Sequence, residues 1–246
     1  MKRRIRTGLA LASVVAITTA GAAAAGSGNN ASVLQESFAN SVTGNSLSID
    51  QTDANGSIIA GAERTGADPD EANRIDSNQG ANGNEIEFLT PNAPLITADT
   101  AGAATQSGSG NEATITTGGS GTFVGLRQTG DNNTAGITGT SGQVLLFQDG
   151  NGNDGTLSTS DGATLASLLQ AGNDNTATVT VSGIDSEGVL AQIGSGNTTD
   201  LNVDTNGASV SFTVQGNNTS ATLPANVVSS AGGGQITIIQ RPLGGQ

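Results

Sequence analysis

The groups in this chain best placed to do chemistry are carboxamides. Glutamines stand at Gln106, Gln128, Gln148, Gln170 and Gln192, spaced by 22, 20, 22 and 22 residues. Each is followed five residues later by an asparagine: Asn111, Asn133, Asn153, Asn175 and Asn197. A carboxamide combines N–H donors and a carbonyl acceptor in one planar group, so its chemistry is hydrogen bonding, not proton or acyl transfer. Catalysis has little else to draw on. His and Cys are absent, which removes the commonest general base and the thiol nucleophile. The 21 Asp and Glu leave a carboxylate pair as a route to hydrolysis, but they do not recur at one position of the repeat. The reading is a protein that is not an enzyme, with no cofactor and no metal site.

The amides belong to a longer phrase. Gln106-Ser-Gly108-Ser-Gly-Asn111-Glu-Ala113 returns as Gln128-Thr-Gly130-Asp-Asn-Asn133-Thr-Ala135 and as Gln148-Asp-Gly150-Asn-Gly-Asn153-Asp-Gly155. It returns again as Gln170-Ala-Gly172-Asn-Asp-Asn175-Thr-Ala177 and Gln192-Ile-Gly194-Ser-Gly-Asn197-Thr-Thr199. Gly and Asn between the two amides predict a tight turn with positive φ. Apolar residues alternate on both sides, through Val124 and Leu126, Val144 and Leu146, Ala166 and Leu168 before the turn. After it come Ile137, Leu157, Val179 and Val181. Period two means strand. One unit is therefore a β-arch, with arms about 20 Å long at ~3.3 Å per residue. A lone arch cannot bury its inner face. Stacking buries it, and places Gln over Gln and Asn over Asn in ladders of the kind that strengthen cross-β assemblies. The expected fold is all-β: a solenoid of stacked β-arches with a repeat of 22 residues.

Looser copies extend the pattern to eight arches, with further turn glutamines at Gln51, Gln79 and Gln215, the last read as Gln215-Gly-Asn-Asn218 with residues lost from its turn. Asn45–Gln51 and Asn73–Gln79 read as first arms, followed by second arms through Ile58 and through Asn84–Phe88. Glu63–Glu71 and Pro91–Pro94 read as insertions, because Pro blocks a ladder hydrogen bond. Gly232–Gly234 is a break, and Gln235–Gln240 is a last apolar strand. The organisation expected is a secretory signal peptide over 1–25 and an irregular segment with degenerate repeats over 26–98. A regular solenoid follows over 99–223, then a tail with a final strand over 224–246. The signal rests on Lys2, Arg3, Arg4 and Arg6, the uncharged stretch Leu9–Ala20 and small residues at Ala22–Ala25. It is too short for a membrane span.

Beyond that leader, four bases (Arg64, Arg74, Arg127 and Arg241) face 21 acids, a net charge of −17. Nucleic acid is an unsuitable partner for such a chain. With no cysteine, an exported chain relies on backbone pairing and not on disulfides.

The phrase Ser-x5-Gln-x-Gly-x2-Asn-x-Ala-x3-Gln, closest over residues 100–203 and looser over 45–223, resembles the repeat of curlins, the subunits of curli fibres on Gram-negative bacteria. The resemblance implies a subunit that crosses the outer membrane unfolded through a dedicated pore. It implies nucleated self-assembly, alone or with other curlin subunits, into extracellular amyloid for adhesion and biofilm matrix. The chain departs from the pattern at the final Gln, replaced by Thr117, Gly139, Thr159, Val181 and Val203.

Two other readings compete. Outward positions of the second arms are rich in Thr (Thr114, Thr116, Thr134, Thr138, Thr156, Thr176, Thr178, Thr180), as a monomeric solenoid binding ice, sugar or another surface ligand would need. β-propensity alone also favours Thr there, and Glu112, Asp154, Asp200 and Asn202 interrupt the array. Asp149-Gly-Asn151-Gly-Asn153-Asp154 has oxygens at alternate positions, as calcium loops do. Its Gly falls one place late and no Glu stands at the twelfth position, so it reads as another turn.

Overall fold

The structure is a computed structural model, and it describes residues 28–36, 44–64, 96–99, 101–160, 162–204, 206–223 and 235–240. The expected signal peptide, the arch at Gln79, Pro91–Pro94 and the break at Gly232–Gly234 lie outside the described residues. Among the described residues there are strands and no helix, gathered in two sheets, parallel but for one antiparallel pair, that face each other across the main core.

Rungs 3 to 6 carry the regular repeat. Their first strands are Phe123–Thr129, Gln143–Asp149, Leu165–Ala171 and Glu187–Ile193. Their second strands are Thr134–Gly139, Asp154–Thr159, Thr176–Ser182 and Thr198–Asp204. All first strands form one sheet and all second strands the other, with Gln128, Gln148, Gln170 and Gln192 in strict register. Val124, Leu126, Val144, Leu146, Ala166, Leu168, Ile137, Leu157, Val179 and Val181 are all buried between the sheets, as the alternation predicts. The 20-residue spacing between Gln128 and Gln148 leaves this register intact, because the shortening falls in the return turn at residues 140–142.

The N-terminal rungs are built differently from the expectation. Asn45 and the strand Ser46–Asn55 belong to the second sheet, paired with Glu112–Ser120, so Asn45 opens a second arm and not a first. Gln51 is not a turn residue. It lies in a β-bulge, where the register shifts between Asp50 and Asp53, and its Nε2 donates to Ser57 Oγ. The turn glutamine of rung 1 is Gln35, paired with Gln106 through the strand Val33–Glu36. Rung 2 takes its first strand from two pieces. Ile58–Gly61 pairs with Phe123–Leu126, and Thr105–Ser107 pairs with Arg127–Thr129.

Rung 7 also corrects the expected phase. Ser209–Gln215 pairs so that Val214, not Gln215, lies beside Gln192. The turn has lost no residues: Val214 replaces the Gln and Thr219 the Asn, around Gly216. Gln235–Gln240 adds parallel to rung 7 as an eighth first strand, with Ile236 and Ile238 against the core. Among the described residues the stack therefore has seven rungs with both strands and an eighth with one.

Candidate functional site

The turn is shaped by its neighbour above as much as by its own sequence. Gly108, Gly130, Gly150, Gly172 and Gly194 have φ between 109° and 127°. A Cβ at any of them would overlap the carbonyl oxygen of the equivalent Gly one rung on. Two residues later, Asn132 and Asp174 take the left-handed conformation that Gly110, Gly152 and Gly196 take in the other turns. Asn and Asp tolerate it because their short polar side chains bond locally.

All five predicted glutamines and all five asparagines are fully buried. Gln106 Nε2 donates to Gln128 Oε1 at 2.8 Å, Gln128 to Gln148 at 2.8 Å, Gln148 to Gln170 at 2.8 Å and Gln170 to Gln192 at 2.9 Å. The asparagines form a second ladder of opposite sense. Asn133 Nδ2 donates back to Asn111 Oδ1, Asn153 to Asn133, Asn175 to Asn153 and Asn197 to Asn175, each at 3.0 Å. Backbone partners fix both senses. Each Asn Oδ1 also accepts the backbone N–H of the next Asn, as from Asn153 to Asn133. Each Asn Nδ2 also reaches the Gly carbonyl one rung ahead, as Asn133 does at Gly150. Gln148 Nε2 takes Thr134 O and Asn153 O besides its ladder partner. The desolvation penalty of these buried amides is offset because every one is paired.

Gln35 and Asn45 extend the two ladders at one end. At rung 7 both stop, with Val214 and Thr219 in their places; the backbone N–H of Thr219 still donates to Asn197 Oδ1. Ala113, Ala135 and Ala177 line the buried column beside the asparagines, joined by Gly155 and by Thr199, whose buried hydroxyl has no partner. Where the family pattern has its final Gln, Thr117 bonds Ser57 and Thr159 donates to Ser141 O.

A third ladder was not anticipated. The residue after each turn Gly accepts the backbone N–H of the rung before: Asp131 from Ser109, Asn151 from Asp131, Asn173 from Asn151, Asn217 from Ser195. The signal was available, since every one of these positions is Ser, Asp or Asn. It also accounts for the calcium-like hexapeptide. Asn151 lies in this outer ladder and Asn153 in the buried one, while Asp149 and Asp154 are exposed at the ends of strands in different sheets.

The Thr positions expected outside are solvent-facing or half-buried. They stand in columns down the second sheet, such as Thr134–Asp154–Thr176–Thr198. Among the described residues no three acidic groups converge as a metal site would require, and no helix is long and apolar enough to cross a membrane. Neither a protein-family model, nor a curated protein, nor a solved structure matches this chain.

Proposed function

We propose that this chain is a secreted structural subunit that polymerises into extracellular cross-β fibres of the curlin kind, for adhesion and biofilm matrix. The observation that carries the reading is the pair of buried amide ladders, held in register through five successive rungs. The stack's outermost strands, Gln235–Gln240 with Ser220–Leu223 at one end and Val33–Glu36 with Ser46–Asn55 at the other, are open edges among the described residues. Open edges template further strands. The partner is then a second copy, a related curlin subunit or a nucleator, after export through an outer-membrane pore. Incubation of the purified chain with thioflavin T, followed by fibre diffraction, tests this. Reflections near ~4.7 Å and ~10 Å are expected. Protein that stays monomeric for days at high concentration, seeded or not, would refute it.

One observation favours a second reading, a solenoid that binds ice, sugar or another surface ligand as a monomer. The outer Thr residues of the second sheet are held in register on one face. Thermal hysteresis by unpolymerised protein would support that reading over fibre formation.

A further inference from the structure

Residues 61–103 interrupt a strand that would be complete without them. Ile59, Ala104 and Gln106 are buried in rung 2 where Val124, Leu126 and Gln128 are buried in rung 3. Joining Ala60 to Ala104 yields a seven-residue strand with the inner face of its neighbours.

The described ends of the interrupting segment, Gly61–Arg64 and Ile96–Asp99, lie across the outer surface of the first sheet. Gly61–Arg64 pairs antiparallel with Ile96–Asp99. A Cβ on Gly125 of rung 3 would lie 2.8 Å from the Gly61 carbonyl oxygen and 3.3 Å from Ala62 Cβ, so this hairpin lies directly over that glycine. Asp99 closes its end, accepting the N–H groups of Ala101 and Gly102. Beneath it, fully buried Ile96 packs in one cluster with Phe123, Leu145, Phe147 and Leu169, the outward residues of three successive rungs. Arg127 lies over the rim of this patch, 5.5 Å from the Phe147 ring centre. By rung 7 the same face has turned polar, at Ser209, Ser211 and Thr213.

We propose that the hairpin is a strap, and that the patch under it would otherwise pair face to face with the same patch on a second copy. An apolar sheet face of this kind is an association surface when uncovered. The partner that suits it best is another apolar sheet face, packed ~10 Å away. A second copy presents that surface, and one patch meeting its equivalent makes a closed two-fold contact. The strap thus blocks side-to-side association and leaves the strand edges at the ends of the stack open. This holds whether or not the chain forms fibres.

Two variants test it: excision of residues 61–103 with Ala60 joined to Ala104, and Ile96→Asp in the full chain. Both are compared with the parent by circular dichroism, hydrophobic-dye fluorescence and sedimentation velocity on freshly prepared protein, before fibres grow. Retained β-signal, a several-fold rise in dye fluorescence and a sedimenting mass at least twice each variant's own monomer mass are expected. Adding Leu145→Ser and Phe147→Ser should return each variant to its own monomer mass. Monomer mass in both variants overturns the proposal, as does association that Leu145→Ser and Phe147→Ser leave intact. Loss of β-signal in both variants also overturns it, since the segment would then be part of the folding core.

Discussion

Leu168 and Leu169 are neighbours in one strand of the first sheet, and both are fully buried on opposite faces. In the second sheet Val179 is fully buried, while Thr178 and Thr180 beside it reach solvent. The same core thus has two kinds of wall. The second sheet is covered on one face and alternates strictly, as a half-buried strand must. The first sheet is covered on both faces over rungs 3 to 6, and its strands read as apolar runs such as Val144-Leu145-Leu146-Phe147. Burial on both faces removes the alternation that burial on one face imposes. The difference teaches that an identical backbone repeat does not fix the outer surface; what lies against each sheet does.

Substitutions can break this comparison. The largest effects are expected at Leu168→Ala and Leu169→Ala, each destabilising by about 2–5 kcal/mol if both walls are truly core. Denaturant titration checks it. A Leu169→Ala effect as small as that of a surface residue would mean that nothing packs on the outside of the first sheet. Next comes Gln148→Ala, which removes the Oε1 that receives Gln128 and the Nε2 that serves Gln170. A loss of ~1–3 kcal/mol per buried group left unpaired is expected. Hydrogen exchange should localise that loss to rungs 3 to 5, since each rung touches only its neighbours.

A gain is expected at Thr199→Ala. This residue holds the column position of Ala177 and buries a hydroxyl without a partner, so its removal should stabilise by ~1 kcal/mol, read as a raised denaturation midpoint. The smallest effect belongs to Thr178→Ala on the open wall, within about 0.5 kcal/mol. If Thr178→Ala cost as much as Leu168→Ala, the inside and outside of the second sheet would be exchanged.

Much of the ladder was legible because Gln106 to Gln192 recur at nearly constant spacing on an unbroken chain. The rest was hidden for physical reasons. Rung 2 is assembled from Ile58–Gly61 and Ala104–Ser107, and counting along a contiguous chain cannot register a strand made of two distant pieces. Gln51 has the right residue type, but a bulge carries it out of phase. Gln215 misled by identity. Position 214, 22 residues after Gln192, keeps the length of the repeat and carries Val. The buried outer face of the first sheet was readable in principle from the apolar run at Val144–Phe147, which alternation arguments discard.

The opposite senses of the two amide ladders give the stack a direction. Every Gln column donates toward the C-terminal rungs and every Asn column toward the N-terminal ones. A rung inserted upside down would set N–H against N–H on one side and C=O against C=O on the other in each column, several kcal/mol of buried mismatch at ~1–3 kcal/mol per unpaired group. The arrangement works like a one-way thread: rungs match when they run the same way and are rejected when reversed, with no shape difference needed to tell top from bottom.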